Sequence, residues 1–203
     1  HTATGERKQV ALADGSTLQL NTDTAVNVDL AAGRLTLLRG ELALKVVAQS
    51  TLAVQSPYGQ VSASGSEICV RLNERDCQVS VVSGAARVQP VSGAELLLVQ
   101  GQQLRLQATG AGAIGAFDRA QPGWREGVLI AENQPLGDFL RELGRFRPGL
   151  LRWAPELESL RVTGSFRLDN TDKVLALLAA SLPVTVVSRT RYWVTVVPRK
   201  NIG

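Results

Sequence analysis

Turn signals crowd the first half of this chain, and they limit what it can become. Between Arg7 and Gln107 the apolar alternations "KQVAL", "TLQL", "AVNVDL", "RLTLL", "ELALKVV", "TLAVQ", "QVSAS", "EICVRL", "CQVSVV", "ARVQP", "ELLLV" and "QLRLQ" follow one another at short intervals. Asp14-Gly15, Ala32-Gly33, Arg39-Gly40, Pro57-Tyr58-Gly59, Ser83-Gly84 and Gln100-Gly101 read as the turns between them. Period-two alternation sends successive side chains to opposite faces, and breakers this frequent leave no room for long helices. The expectation is an all-β domain of short strands over residues 1–107, a roll or a solenoid-like stack. No fixed period recurs, which disfavours a strict repeat. Asp14-Gly15 predicts a hairpin, and Asn21 to Thr24 a second polar turn.

From Ala108 the composition shifts to Gly and Ala, and residues 108–123 read as a linker. After Trp124, expected to bury as a clasp, the pattern changes again. "REGVLIAEN" reads as a strand. Pro135 suits a helix start, and Leu136, Phe139, Leu140 and Leu143 supply an i, i+3, i+4, i+7 stripe. "LLRW" and "LRVTGSFRL" are further strands. Asp169, Asn170 or Thr171 caps a second helix with Val174, Leu175, Leu178 and Leu182 inside. "VTVVS" and "YWVTVVP" close with a hairpin. The order β-α-β-β-α-β-β over residues 124–203 predicts a small α+β module, two helices on one sheet face. The whole chain is therefore expected to be mainly β.

The inventory of chemistry is short. The one histidine is His1, at the terminus, so no Ser-His-Asp or Cys-His arrangement is expected and no catalytic residue is assigned. Cys69 and Cys77 lack companions for a metal site, and no cofactor or metal is expected. If Glu74-Arg75 is a two-residue turn, Leu72, Val70 and Ile68 face Cys77, Val79 and Val81 on one apolar face, and Cys69 points the other way. A three-residue turn would set the cysteines opposite each other, so reduced thiols and a disulfide both stay open. No phosphate loop occurs, and "GAGAIG" follows no strand. Glu156 and Glu158 read as solvated, as do Asp138 and Glu142 on the outer face of the first helix. The formal net charge of +4 comes from singly spread arginines, which argues against nucleic acid. No apolar run of about 18 residues is present to span a membrane. With no methionine in 203 residues, a processed or partial product is expected.

"GERKQVALADGSTLQLNTDTAVNV", "LLRGELALKV", "VQSPYGQVSASGSEICVRL", "CQVSVVSGAARV" and "VQGQQLRL" occur in an order and spacing that resemble the FecR family of bacterial anti-sigma regulators. The family's usual Gly-Thr-x-Phe is here Gly65-Ser66-Glu67-Ile68. "WREGVLIAENQPLGDFLRELGRFRPG" and "LRVTGSFRLDNTDKVLALLAASLPVTV" resemble the family's C-terminal end and the STN module, the short N-terminal domain of secretins and TonB-dependent transducers. The resemblance implies the periplasmic signalling region of a protein that crosses the inner membrane once. Its partner would be the N-terminal signalling domain of a TonB-dependent outer-membrane siderophore transporter. The extracytoplasmic-function sigma factor would be reached only through a cytoplasmic part absent from this sequence.

Small mixed sheets leave edges on which another chain can dock, so the C-terminal module is the expected contact. Its outward candidates are Leu150, Leu151 and Trp153 after the first helix, and Phe166, Tyr192 and Trp193, with Arg147 and Arg152 as a charged rim. In "YWVTVVP", Tyr192 shares a face with Val194 and Val196, and Trp193 with Thr195 and Val197, so one of the two aromatics should lie outside. The alternative is a cell-envelope module that binds glycan or another small ligand, lined by Tyr58, Trp153 and Trp193.

Overall fold

The computed structural model describes residues 1–117 and 123–200. Two compact units divide the chain, His1–Pro122 and Gly123–Gly203.

In the first unit the expected strands form: β1 (Lys8–Ala11), β2 (Thr17–Leu20), β3 (Ala25–Asp29), β4 (Arg34–Lys45), β5 (Leu52–Ser56), β6 (Gly59–Ala63) and β7 (Glu67–Leu72). They continue through β8 (Cys77–Ser83), β9 (Ala85–Pro90), β10 (Leu96–Val99), β11 (Gln102–Gln107), β12 (Gly110–Ala111) and β13 (Gly115–Ala116). The order along the sheet is β10-β9-β6-β5-β4-β7-β8-β11-β12, with β2 and β3 also on β4. Part of the stretch read as linker is thus paired, because β12 and β13 both hydrogen-bond to β11. Residues 118–122 of that stretch lie outside the described residues.

Strand β4 corrects the reading of Arg39-Gly40 as a turn. It runs unbroken through both halves of a curled sheet: Arg34–Thr36 pair with β5, residues 34–39 with β3, and residues 40–45 with β7. Leu38 is skipped between the pairs Ala25–Arg39 and Val26–Leu37, and it is exposed. This extra residue shifts the alternation, so Leu35 and Leu37 point inward before it, and Leu42 and Leu44 after it. Gly40 follows at φ +85, where a Cβ would meet Thr24 Oγ1 at 2.3 Å and the Asp23 carbonyl oxygen at 2.7 Å. The curl encloses one core, to which β4 contributes these four leucines, and Val54, Val61, Val88, Ile68, Val79 and Leu106 pack around them.

The polar turn Asn21–Thr24 lies beside this bend, with Asn21, Thr22 and Thr24 buried and Asp23 exposed. Asn21 Nδ2 donates to Glu41 Oε2 at 2.9 Å, and the Thr22 amide donates to Asn21 Oδ1. Thr24 Oγ1 both donates to the Glu41 carbonyl and accepts from its amide. Thr2 joins the group: its hydroxyl donates to the Asn21 carbonyl, its amide donates to the Thr24 carbonyl, and its hydroxyl accepts from the Thr24 amide. Interior polar groups persist when their bonds are satisfied in this way.

In the second unit the order is a 3-10 turn (Gly123–Glu126), β14 (Val128–Pro135), α1 (Leu136–Gly144), β15 (Leu150–Trp153), a second 3-10 turn (Pro155–Leu157), β16 (Arg161–Arg167), α2 (Thr171–Ser181), β17 (Val184–Thr190) and β18 (Trp193–Pro198). The expected single sheet is instead two: β14 pairs with β16, and β15-β18-β17 form a three-stranded sheet in which β15 runs parallel to β18. Both helices touch strands of both sheets. Leu136, Phe139, Leu140 and Leu143 of α1 are all buried, as are Val174, Leu175 and Leu178 of α2. Asn170 caps α2, its Oδ1 accepting from the Lys173 amide at 3.0 Å. Trp124 is buried in the first 3-10 turn, which packs on β14.

Candidate functional site

The three-stranded sheet of the second unit has two unlike faces. Register aligns Leu150 with Trp193 and Thr190, and Arg152 with Thr195 and Val187. These rows point away from the helices. Leu150, Trp193 and Val187 are 40%, 43% and 44% exposed, large values for apolar side chains in a sheet. Arg152 is exposed beside them. The Arg189 guanidinium lies 5.2 Å from the Trp193 ring centre and covers one side of it. The alternate rows, Leu151 with Val194 and Trp153 with Val196, face inward, and Val194 and Val196 are fully buried.

Of the residues expected outside, four therefore belong to the interior side. Leu151 and Trp153 are half-buried on the inner face. Trp153 is held there: its Nε1 donates to Glu158 Oε2 at 2.6 Å, and the Arg141 guanidinium lies 5.4 Å from the ring centre. Phe166 is buried against Phe139, edge-to-face with ring centres 4.9 Å apart. Arg147 is buried, its Nη1 donating to Asp172 Oδ1 at 3.0 Å. Tyr192 and Trp193 are both exposed, where alternation allowed only one. Tyr192 lies in the turn before β18, so the strand's two-residue period does not govern it.

Glu158 is also less free than expected. Besides the Trp153 bond, it accepts from Arg141 Nη2. The Trp153 indole first, and then Arg141, hold its carboxyl below the ordinary value of 4.5. The cysteines resolve in favour of the two-residue turn. Leu72 pairs with Cys77, and Cys69 pairs with Ser80, which sends the two thiols to opposite faces of the sheet. Burial pushes the Cys77 thiol up to about 11, so it is neutral at physiological pH and a poor nucleophile. Among the described residues no three His, Cys, Asp or Glu side chains gather as a metal site requires, and no helix is long and apolar enough to cross a membrane.

Sequence reasoning missed a groove between α2 and β17. Asp172, Leu175, Ala176 and Ala179 form one stripe of α2 along it, facing Val184, Val186 and Ser188 of β17. Arg147, Arg191 and Arg199 line it as well. The small residues at 176 and 179 were the available signal.

Known proteins share this architecture. Residues 1–87 match the FecR protein family, a span that ends within β9. That stretch is FecR-like. Two crystal structures of a candidate anti-sigma factor from Parabacteroides distasonis ATCC 8503, at 2.50 Å and 1.65 Å resolution, share the fold well beyond residues 1–87. Their TM-scores are 0.76 and 0.75, at 18% and 19% identity. Each comparison covers 97% of this chain, and 96% and 95% of theirs. No curated protein matches the chain.

Proposed function

We propose that the chain is the periplasmic signalling region of a FecR-like anti-sigma regulator, a receiver and not a catalyst. It binds the N-terminal signalling domain of a TonB-dependent outer-membrane siderophore transporter. It passes that event toward an extracytoplasmic-function sigma factor through the cytoplasmic part such regulators carry. The observation that carries the reading is the FecR match over residues 1–87, inside a fold shared over 97% of the chain with the structure of a candidate anti-sigma factor.

The second unit, which we read as STN-like from its β-α-β-β-α-β-β order, is the docking element. The outer face of its three-stranded sheet offers Leu150, Trp193 and Val187 as apolar anchors, with Arg152 at the rim. Aromatic anchors of this kind carry a large share of binding energy. Trp193→Ala should weaken binding of the signalling domain by about 2 kcal/mol with the fold retained. Trp153→Ala should instead lower the melting temperature first, because its partners are Glu158 and Arg141. Calorimetry with a purified transporter signalling domain and thermal melts on the same variants test both. Unchanged affinity in folded Trp193→Ala, with losses from substitutions in residues 7–107, would move the interface to the first unit. The glycan-binding alternative has less support, since Trp153 and Trp193 lie on opposite faces of one sheet and Tyr58 commits its hydroxyl to the Glu74 carbonyl at 2.8 Å.

A further inference from the structure

The groove between α2 and β17 joins an apolar lining to charged groups. Its volume is about 470 Å³. Leu175, Ala176, Ala179, Val184, Val186 and Val194 supply an apolar lining. The charged groups on it are Arg147, Arg191, Arg199 and Asp172, an excess of two positive charges.

Arg147 is the least satisfied of these. Only 5% of the residue is exposed, and its bonds to Asp172 and Thr171 both leave from Nη1. Its Nε is buried with no hydrogen-bond partner. A buried donor without an acceptor is costly, and the Nε–Nη2 edge of a guanidinium is one that grips a carboxylate through two parallel bonds. The pair with Asp172 holds the group in place and leaves that edge unmatched.

The groove is also elongated. Arg147 bonds to Thr171 and Asp172 at the first turn of α2, while Arg199 donates to the Ala179 carbonyl near its last turn. From Asp172 to Ala179 the helix advances roughly 10 Å at 1.5 Å per residue. An extended chain covers that distance in about three residues. A compact anion could reach one end; an extended segment spans both. Beside the groove, β17 is the last strand of its sheet, paired only with β18 among the described residues, so its other edge can accept a strand.

We infer that this groove takes an extended acidic segment of a protein partner, which adds a strand to β17 and sets a carboxylate against Arg147 while its apolar side chains fill the lining. The inference rests on the reading of the second unit as the partner-binding element. It deepens that reading, because a strand added to β17 would continue the sheet that presents Trp193.

The test is an NMR titration of the full chain with a short blocked peptide of alternating valine and glutamate. Amide resonances of residues 172–179 and 184–188 should shift. A glutamine-for-glutamate peptide should bind about tenfold more weakly or worse, as expected when a charge-assisted pair is lost. Ala176→Glu provides the fold-preserving variant: the position is an exposed helical site that suits glutamate, and the new side chain occupies the groove with a carboxylate of its own. It should abolish the peptide shifts with an unchanged melting temperature. Equal binding of the two peptides, or full binding to folded Ala176→Glu, overturns the inference. Saturation of the same resonances by glutarate or hexanoate, with no response to the peptide, overturns it in favour of a small carboxylate ligand. The transporter signalling domain, titrated in parallel, separates this from the wider reading. If that domain binds the native chain and Ala176→Glu equally, the groove assignment fails alone. If it binds neither while the peptide behaves as expected, the partner assignment fails and the groove stands.

Discussion

At the residue scale, two of the glycines at positive φ near the polar turns, Gly15 and Gly40, make different demands. Gly15 sits at φ +90 in the loop between β1 and β2, where the Asp14 carboxylate accepts from both the Ser16 amide and hydroxyl. An added Cβ there would meet nothing closer than Val47 Cγ1 at 3.8 Å. Gly15→Val should therefore cost only the backbone strain, about 1–3 kcal/mol, and leave partner binding unchanged in the folded fraction. Gly40 combines positive φ with backbone and Thr24 atoms inside contact distance, so Gly40→Ala should cost more than about 3 kcal/mol. Urea denaturation of the two variants checks the ranking, and a milder Gly40→Ala would count against the bend described for β4. Glu158 supplies the pH-dependent case. Its carboxyl is held low by the Trp153 indole and Arg141. The stabilisation is thus present above the ordinary glutamate value of 4.5 and is lost as pH falls through the lower folded value. The Trp153 indole N–H resonance should keep its bonded shift through pH 4.5 and move only in stronger acid. A transition at or above 4.5 would show that the pair does not persist in solution.

At the scale of elements, most strands and both helices were legible because local signals agreed with burial, while β12 and β13 lay hidden in the stretch read as linker. The α1 stripe is buried at all four positions, and the hairpin β7–β8 takes the register of a two-residue turn, one of the two that its sequence left open. What was not legible came from pairings distant in sequence. The Arg39-Gly40 signal is real, but a bulge at Leu38 uses it to bend a strand and not to end one. Parallel pairing of β15 with β18 decides that Leu150 stands beside Trp193 and that Trp153 faces inward. A four-residue run such as "LLRW" carries no sign of which face its partner will choose. Phe166 was misassigned for a related reason. Its strand pairs with β14 in a separate sheet, which turns the ring toward Phe139. Arg147 misled because an isolated arginine in a loop reads as a solvated charge, and only the fold brings Asp172 to it. The groove along α2 needed the helix stripe and the strand edge together.

For the whole molecule, the division into two compact units carries its own prediction. Residues 123–200 contain two sheets, two helices and buried side chains contributed by all of them. This span should fold alone, giving a single cooperative thermal transition by circular dichroism. A non-cooperative melt of the isolated span, with the intact chain melting cooperatively, would mean that the two units depend on a common core. In the first unit, the knot of bonds around Thr2 has a mechanical meaning. A pull applied at His1 meets the three bonds of Thr2 first and passes through Thr24 to the backbone of Glu41, in the middle of the one strand common to both halves of the curl. Tension from that end therefore passes through the Asn21–Thr24 turn into the spine of the sheet, so the first residues of the chain and the middle of β4 carry it together.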